Sequence, residues 1–147
     1  MNNILIVCSG NICRSPIAHA LFEKHMPSLN IDSAGVFVDR HQLSGVHPVT
    51  NSQSVAKQNG LDISRLQAQQ LTPELVSQHD LILVMTHEHI EQVAQVSQGA
   101  RAKTLLIGQW IGVGEVHDPI GQEMEVFEQC FSVLERAVLS WKSRLKA

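Results

Sequence analysis

Residues 8–15 read Cys8-Ser9-Gly10-Asn11-Ile12-Cys13-Arg14-Ser15, after the apolar run Ile4-Leu5-Ile6-Val7. A thiol and a guanidinium here bracket a loop opened by Ser-Gly-Asn. If that loop folds back on itself, the N–H groups of Ser9, Gly10, Asn11, Ile12, Cys13 and Arg14 converge on one point. A ring of such donors at a helix N-terminus binds anions. Arg14 adds a planar fork that matches two phosphate oxygens. The same positive field favours the thiolate of Cys8, which is the nucleophilic form. Gly10 and Asn11 suit a loop that must visit positive φ. The octet points to a cysteine that attacks phosphorus.

Each residue also has a plainer reading. A Cys at the end of a buried strand is most often a small core hydrophobe. The spacing to Arg14-Ser15, set between a strand and a helix, outweighs that here. Cys8 and Cys13 could be two metal ligands, but zinc sites usually show paired clusters. Cys130 is the one remaining cysteine and lies far along the chain. His87 and His89 are two apart on a predicted helix, so their side chains diverge. No metal and no cofactor are expected. Asp118 before Pro119 is, on its own, usually a turn former. His117 reads as a surface histidine, Cys130 as structural.

The chain has 147 residues, 44% of them apolar, and a net charge of −3. That suits one domain over residues 1–147 with one core. Nothing in the charge points to nucleic acid or to a basic membrane patch. The apolar runs are too short to span a bilayer, so no membrane insertion is expected. Met1-Asn2-Asn3-Ile4 lacks the basic start of a signal peptide. The cysteines number three, which argues against a disulfide framework. A reducing cytoplasm fits these features.

Four runs read as buried parallel strands: Ile4–Val7, Leu29–Ala34, Leu81–Met85 and Thr104–Ile107. They are continuous rather than alternating, as expected when helices cover both sheet faces. Ser15 can cap a helix that opens at Pro16. Further helices are predicted from Pro48 to about Gly60, from Thr72-Pro73-Glu74, and over 87–97. The last helix carries Phe127, Phe131, Leu134, Val138, Trp141 and Leu145 at steps of four and three, a core-facing stripe. The alternation gives an α/β fold with a parallel sheet. Ligands of such sheets bind beyond the carboxyl ends of the strands, where the octet lies.

The segment VCSGNICRSPIAHALF resembles the phosphate-binding loop of the low-molecular-weight protein tyrosine phosphatases. His117-Asp118-Pro119 falls where that family carries an Asp-Pro general acid. Ser33-Ala34-Gly35, Gly60-Leu61-Asp62-Ile63-Ser64, Gln70-Leu71-Thr72 and Asp80–Met85 are similar too, in the family's order. The bacterial branch that acts on capsule and exopolysaccharide tyrosine kinases resembles it most, partly through Leu134-Glu135-Arg136 and Trp141. The resemblance implies a three-layer, doubly wound, four-stranded parallel sheet. It implies Cys8 as nucleophile through a phosphocysteine, Arg14 as phosphate clamp and Asp118 as acid and then base. It implies that Asn11 holds the loop, that Ser15 donates to the thiolate, and that Cys13 is the redox partner of Cys8. The partner it implies is a phosphotyrosine protein, a bacterial tyrosine autokinase; a monomer is expected.

Departures from the family concern the substrate wall. Ile120 stands where many relatives have an aromatic, and the chain has no tyrosine. The other wall is expected from Val36–His47, with Phe37, Asp39 and Arg40. Leu66 and Gln69 stand near positions where many relatives have His and Arg, and His47-Pro48 replaces a frequent Asp-Pro. Three rivals remain. Arginine-phosphate phosphatases share the loop but favour Thr where Ile12 stands. Arsenate reductases need further cysteines after the third strand, and residues 80–100 have none. A binding module for phosphotyrosine would need neither thiol nor acid.

Overall fold

The computed structural model describes residues 1–145. The strands are β1 (Asn3–Cys8), β2 (Asn30–Gly35), β3 (Leu81–Val84) and β4 (Thr104–Leu106). They form one parallel sheet in the order β2-β1-β3-β4. The helices are α1 (Arg14–His25), α2 (Thr50–Gln58), α3 (Pro73–Ser77), α4 (His87–Val96) and α5 (Met124–Leu145).

The period of two in a strand splits the apolar runs between two faces. Ile4, Ile6, Leu81 and Leu83 pack with Ile17, Leu21 and Phe22 of α1, Val55 of α2, and Phe127, Phe131, Leu134, Val138 and Trp141 of α5. Leu5, Val7, Ile82 and Val84 pack with Val76 of α3 and Val93 of α4. The result is a three-layer α/β fold. Burial stabilises by roughly 1.5–3 kcal/mol for each such side chain, so the sheet is a firm base for the loops above it. The indole of Trp141 donates to the Ile107 carbonyl at 2.8 Å and ties α5 to the end of β4.

Two helix starts differ from the sequence reading. Helix α1 opens at Arg14, with Cys13 as its cap residue and no side-chain cap bond. Ser15 therefore does not cap and Pro16 is not the first helical residue; the Ser15 hydroxyl is used elsewhere, as described below. Helix α2 opens at Thr50 rather than Pro48. Two short 3₁₀ turns, Ala100–Lys103 and Gln109–Ile111, flank β4 and were not legible as helix.

The chain leaves β1 for β2 on one side and crosses back to β3 on the other. Their carboxyl ends therefore border the crevice where ligands of doubly wound sheets bind.

Candidate active site

Cys8 ends β1, and residues 9–13 form a tight loop into α1. What turns the loop inside out is visible in its carbonyls. Cys8 O accepts from Val36 N at 3.1 Å, Ser9 O from Phe37 N at 2.9 Å, and Ile12 O from Val49 N at 2.9 Å. These outer partners pull the carbonyls away from the centre. Among the described residues, the amides of Gly10, Ile12, Cys13 and Arg14 have no backbone acceptor. Amides left without a backbone acceptor at the start of α1 suit an anion nest. Gly35, paired with Cys8, permits this packing: a Cβ there would lie 2.6 Å from Ser9 O and 3.0 Å from Asn11 N.

Asn11 adopts φ 58°, the left-handed conformation that Asn tolerates better than most residues. Its amide is oriented by its partners. Oδ1 accepts from Gln69 N at 3.1 Å, so Nδ2 is the group that donates to Ser15 Oγ at 2.6 Å. Ser15 Oγ then has its own hydrogen to offer Cys8 Sγ, 3.1 Å away. Asn11 N also donates to Cys8 Sγ, at 3.3 Å. Two donors thus converge on the sulfur. The contact from residue 69 uses its main chain, so this link survives with Gln at that position.

Arg14 is 3% exposed. Its Nη1 donates to Val116 O at 2.8 Å, and Nη2 to Ser9 Oγ at 3.4 Å. Nη2 lies 3.6 Å from Asp118 Oδ2. Among the described residues Arg14 Nε has no acceptor, although it is buried. An unpaired N–H on a buried cation is costly, and an anion oxygen would satisfy it. The segment that carries Asp118 is fixed from β3: Val116 N donates to Met85 O at 2.9 Å. His87 N and Glu115 Oε2 join the same segment to the start of α4 at 2.8 Å. Ile120 N donates to Asp118 Oδ1 at 3.0 Å. The turn and the approach to Arg14 therefore coexist at Asp118.

A cavity of about 290 Å³ opens above the loop, lined by Cys8, Ser9, Gly10, Ile12, Cys13, Arg14, His41, Leu43, Asp118 and Ile120. The structure brings Cys8, the loop, Arg14, Asp118 and Ile120 together. Of the residues expected on the other wall, Phe37, Asp39 and Arg40 are not among those lining this cavity, where His41 and Leu43 are. Phe37 is half-buried, meets His41 edge-on at 6.2 Å, and carries the Arg40 guanidinium over its outer face at 5.1 Å. Gln70 Oε1 accepts from Asp39 N at 2.9 Å, which turns that residue outward. A larger hollow of about 470 Å³ beside α2 is lined by Gln53, Lys57 and Asp62 among others, and no cysteine lines it.

The cysteines are all free and buried. Burial, with Asp118 and the Cys8 sulfur adding to it, pushes the Cys13 thiol up to about 12. Burial does the same for Cys130 on α5, also to about 12. Both are protonated thiols at neutral pH.

Sequence reasoning missed His89. It was set aside because residues two apart on a helix diverge. They do: His87 reaches Glu115 at 2.9 Å, while His89 turns inward and places Nε2 2.9 Å from Ser9 Oγ. No spacing rule could have found it, because the contact spans 80 residues.

The family described as "Low molecular weight phosphotyrosine protein phosphatase" matches residues 3–147. The low molecular weight protein-tyrosine-phosphatase Etp of Escherichia coli K12 is 41% identical over 98% of this chain and 95% of its own. The structure of Vibrio vulnificus Wzb in complex with benzylphosphonate superposes with a TM-score of 0.95 at 40% identity, covering 97% of this chain and 98% of that one. A variant of the arginine phosphatase YwlE with a phosphorylated active-site serine superposes with a TM-score of 0.89 at 29% identity, covering 99% of this chain and 96% of that one. The chain belongs to the low molecular weight phosphotyrosine protein phosphatase family, a family of hydrolases.

Proposed function

We propose that the protein hydrolyses phosphotyrosine through a phosphocysteine on Cys8. The observation that carries this is the Cys8 sulfur, held by two donors at the base of a cavity whose rim bears Asp118 beside Arg14. Cys8 attacks phosphorus in line with the leaving phenolate. Arg14 and the loop amides hold the equatorial oxygens and grip them harder as charge spreads in the transition state. Asp118 protonates the phenolate, then takes a proton from the water that hydrolyses the phosphocysteine. In that second step sulfur leaves, and the Ser15 hydroxyl and Asn11 amide stabilise the charge it regains. Arg14 and the amides supply the positive field, so the reaction needs no metal and no cofactor.

Benzylphosphonate, bound in the Wzb structure, couples an aromatic ring to a tetrahedral oxyanion as phosphotyrosine does. Here Ile12, Leu43 and Ile120 give the ring an aliphatic channel. The YwlE likeness raises phosphoarginine as a second substrate class. Its guanidinium would have to cross the same aliphatic channel, where Asp118 is the single carboxylate among the lining residues. One panel separates the classes and tests the acid. Wild type should hydrolyse phosphotyrosyl peptides far faster than phosphoarginyl ones. Asp118→Asn should lose roughly 10²-fold in kcat on aryl phosphates with poor leaving groups, the usual scale for a lost general acid. It should lose much less with good ones. A flat loss across the series would reduce Asp118 to a turn residue, and a preference for phosphoarginine would replace the substrate.

The partner that fits is a phosphotyrosine protein, a bacterial tyrosine autokinase that controls polysaccharide production, with the enzyme acting as a monomeric domain over residues 1–147. A cytoplasmic location follows from a thiol nucleophile that works only when reduced. Among the described residues no helix is long and apolar enough to cross a membrane.

Cys13 shares the cavity with Cys8 and is proposed as its redox partner. Peroxide converts the Cys8 thiolate to a sulfenic acid, and the Cys13 thiol displaces water from it to form a disulfide. Wild type treated with mild peroxide should lose activity and regain it with dithiothreitol. Cys13→Ser should start active and lose activity irreversibly. Equal recovery by both proteins would leave Cys13 as a packing residue.

A further inference from the structure

His89 lies in the first turn of α4, behind its cap residue Thr86. Because β3 runs beside β1, this turn overhangs the loop that follows β1. The imidazole is 3% exposed and makes one polar side-chain contact, to Ser9 Oγ at 2.9 Å. Ser9 Oγ in turn accepts from Arg14 Nη2 at 3.4 Å. The other terminal nitrogen of Arg14 is held by the Val116 carbonyl at 2.8 Å. The guanidinium is thus pinned at one end by main chain and at the other by a hydroxyl. A serine hydroxyl alone is a rotor with several staggered positions. Only its partner decides which one it holds.

We propose that His89 is a positioning residue for phosphoryl transfer: through Ser9 Oγ it fixes the plane in which Arg14 presents its N–H groups to the phosphate. The inference rests on the reading of Cys8 and Arg14 as phosphatase machinery. It also orders the protons. His89 Nδ1 is buried and has no partner among the described residues. A bare lone pair there is tolerated better than an orphaned N–H, which assigns the ring proton to Nε2. Nε2–H then donates to Ser9 Oγ, which accepts from both His89 and Arg14. The Ser9 hydrogen is left to point into the cavity that Ser9 lines, as one more donor to a phosphate oxygen. The arrangement needs a neutral imidazole, since a second cation would repel Arg14. Burial, helped by Arg14, lowers the His89 pKa to about 4 against the opposing pull of Asp118 and Glu115.

A double-mutant cycle on the full chain tests this. The readouts are kcat and KM for p-nitrophenyl phosphate, the inhibition constant of orthovanadate, and Tm. His89→Ala should lower kcat roughly five- to tenfold, the scale of one neutral hydrogen bond. KM should change little, and vanadate should weaken by a similar factor. Ser9→Ala should lose at least as much, since it removes the phosphate donor as well as the relay to Arg14. In the Ser9→Ala background His89→Ala should cost nothing more, because its route to Arg14 is already cut. His89→Gln, whose amide can reach Ser9, should recover most of the loss. A His89→Ala enzyme equal to wild type would overturn the inference. So would losses that multiply in the double mutant, which mark a structural role. Should His89→Ala fail to fold, Ser9→Ala decides alone: unchanged kcat and vanadate inhibition overturn the proposal. A wild type without phosphatase turnover would overturn both this inference and the reading it rests on, whereas an active wild type isolates the inference.

Discussion

The Cys8→Ser protein should fold with a Tm close to wild type and hydrolyse p-nitrophenyl phosphate roughly 10⁴- to 10⁶-fold more slowly, the scale seen when a covalent enzyme loses its nucleophile. Serine is close to isosteric with cysteine, and Cys8 is buried at the end of a strand that pairs on both sides. The sheet and the loop should therefore persist. What disappears is the thiolate. A hydroxyl has no base near enough to replace it: Asn11 N and Ser15 Oγ face Sγ as donors. The variant should still bind vanadate or phosphate, because the amides and Arg14 are untouched. Appreciable turnover by a folded, uncontaminated Cys8→Ser protein would remove Cys8 from the mechanism.

Arg14→Lys should cost roughly 10³-fold in kcat/KM, between the loss of one transition-state donor and the loss of a catalytic arginine. The charge is kept, so the change isolates geometry. The two terminal nitrogens of Arg14 are tethered to Val116 O and Ser9 Oγ, which leaves its fork in one plane. An ammonium is a point charge and cannot hold both tethers while meeting two phosphate oxygens. The substitution also unties the Asp118 segment, since the bond to Val116 O is what joins the two loops. Near-normal kcat/KM in this variant would mean that charge alone suffices and that the planar clamp plays no part.

The sequence was most informative where chemistry and local geometry coincide. Cys8, Arg14 and the intervening loop form one continuous segment between a strand and a helix, so residue types and spacing were enough to read a phosphate nest. The parallel strands were legible because both faces of β1 and β3 are buried, which makes their apolar runs continuous. The stripe on α5 was legible for the matching helical reason.

Contacts that cross the chain were not legible. The outward pull on the loop carbonyls comes from Val36, Phe37 and Val49, and the tether of Arg14 comes from Val116. The Ser15 hydroxyl was expected both to cap α1 and, by the resemblance, to donate to sulfur; α1 begins two residues earlier than expected, and of these only the contact with sulfur is present. The cavity lining was not legible either: the aromatic Phe37 was expected on the wall. In the fold it is half-buried between His41 and Arg40, and the smaller Leu43 reaches the cavity. His89 escaped notice because its partner lies on a different strand–helix unit.

The account turns on a phosphorus–sulfur bond at Cys8. Wild-type protein mixed with a phosphotyrosyl peptide, quenched within its first turnovers and mapped by mass spectrometry, reports where the phosphate goes. The account predicts phosphate on the peptide that contains Cys8, appearing before inorganic phosphate and absent from the Cys8→Ser protein. Release of inorganic phosphate with no phosphorylated cysteine at any quench time, even in an Asp118→Asn protein whose second step is slowed, would contradict it.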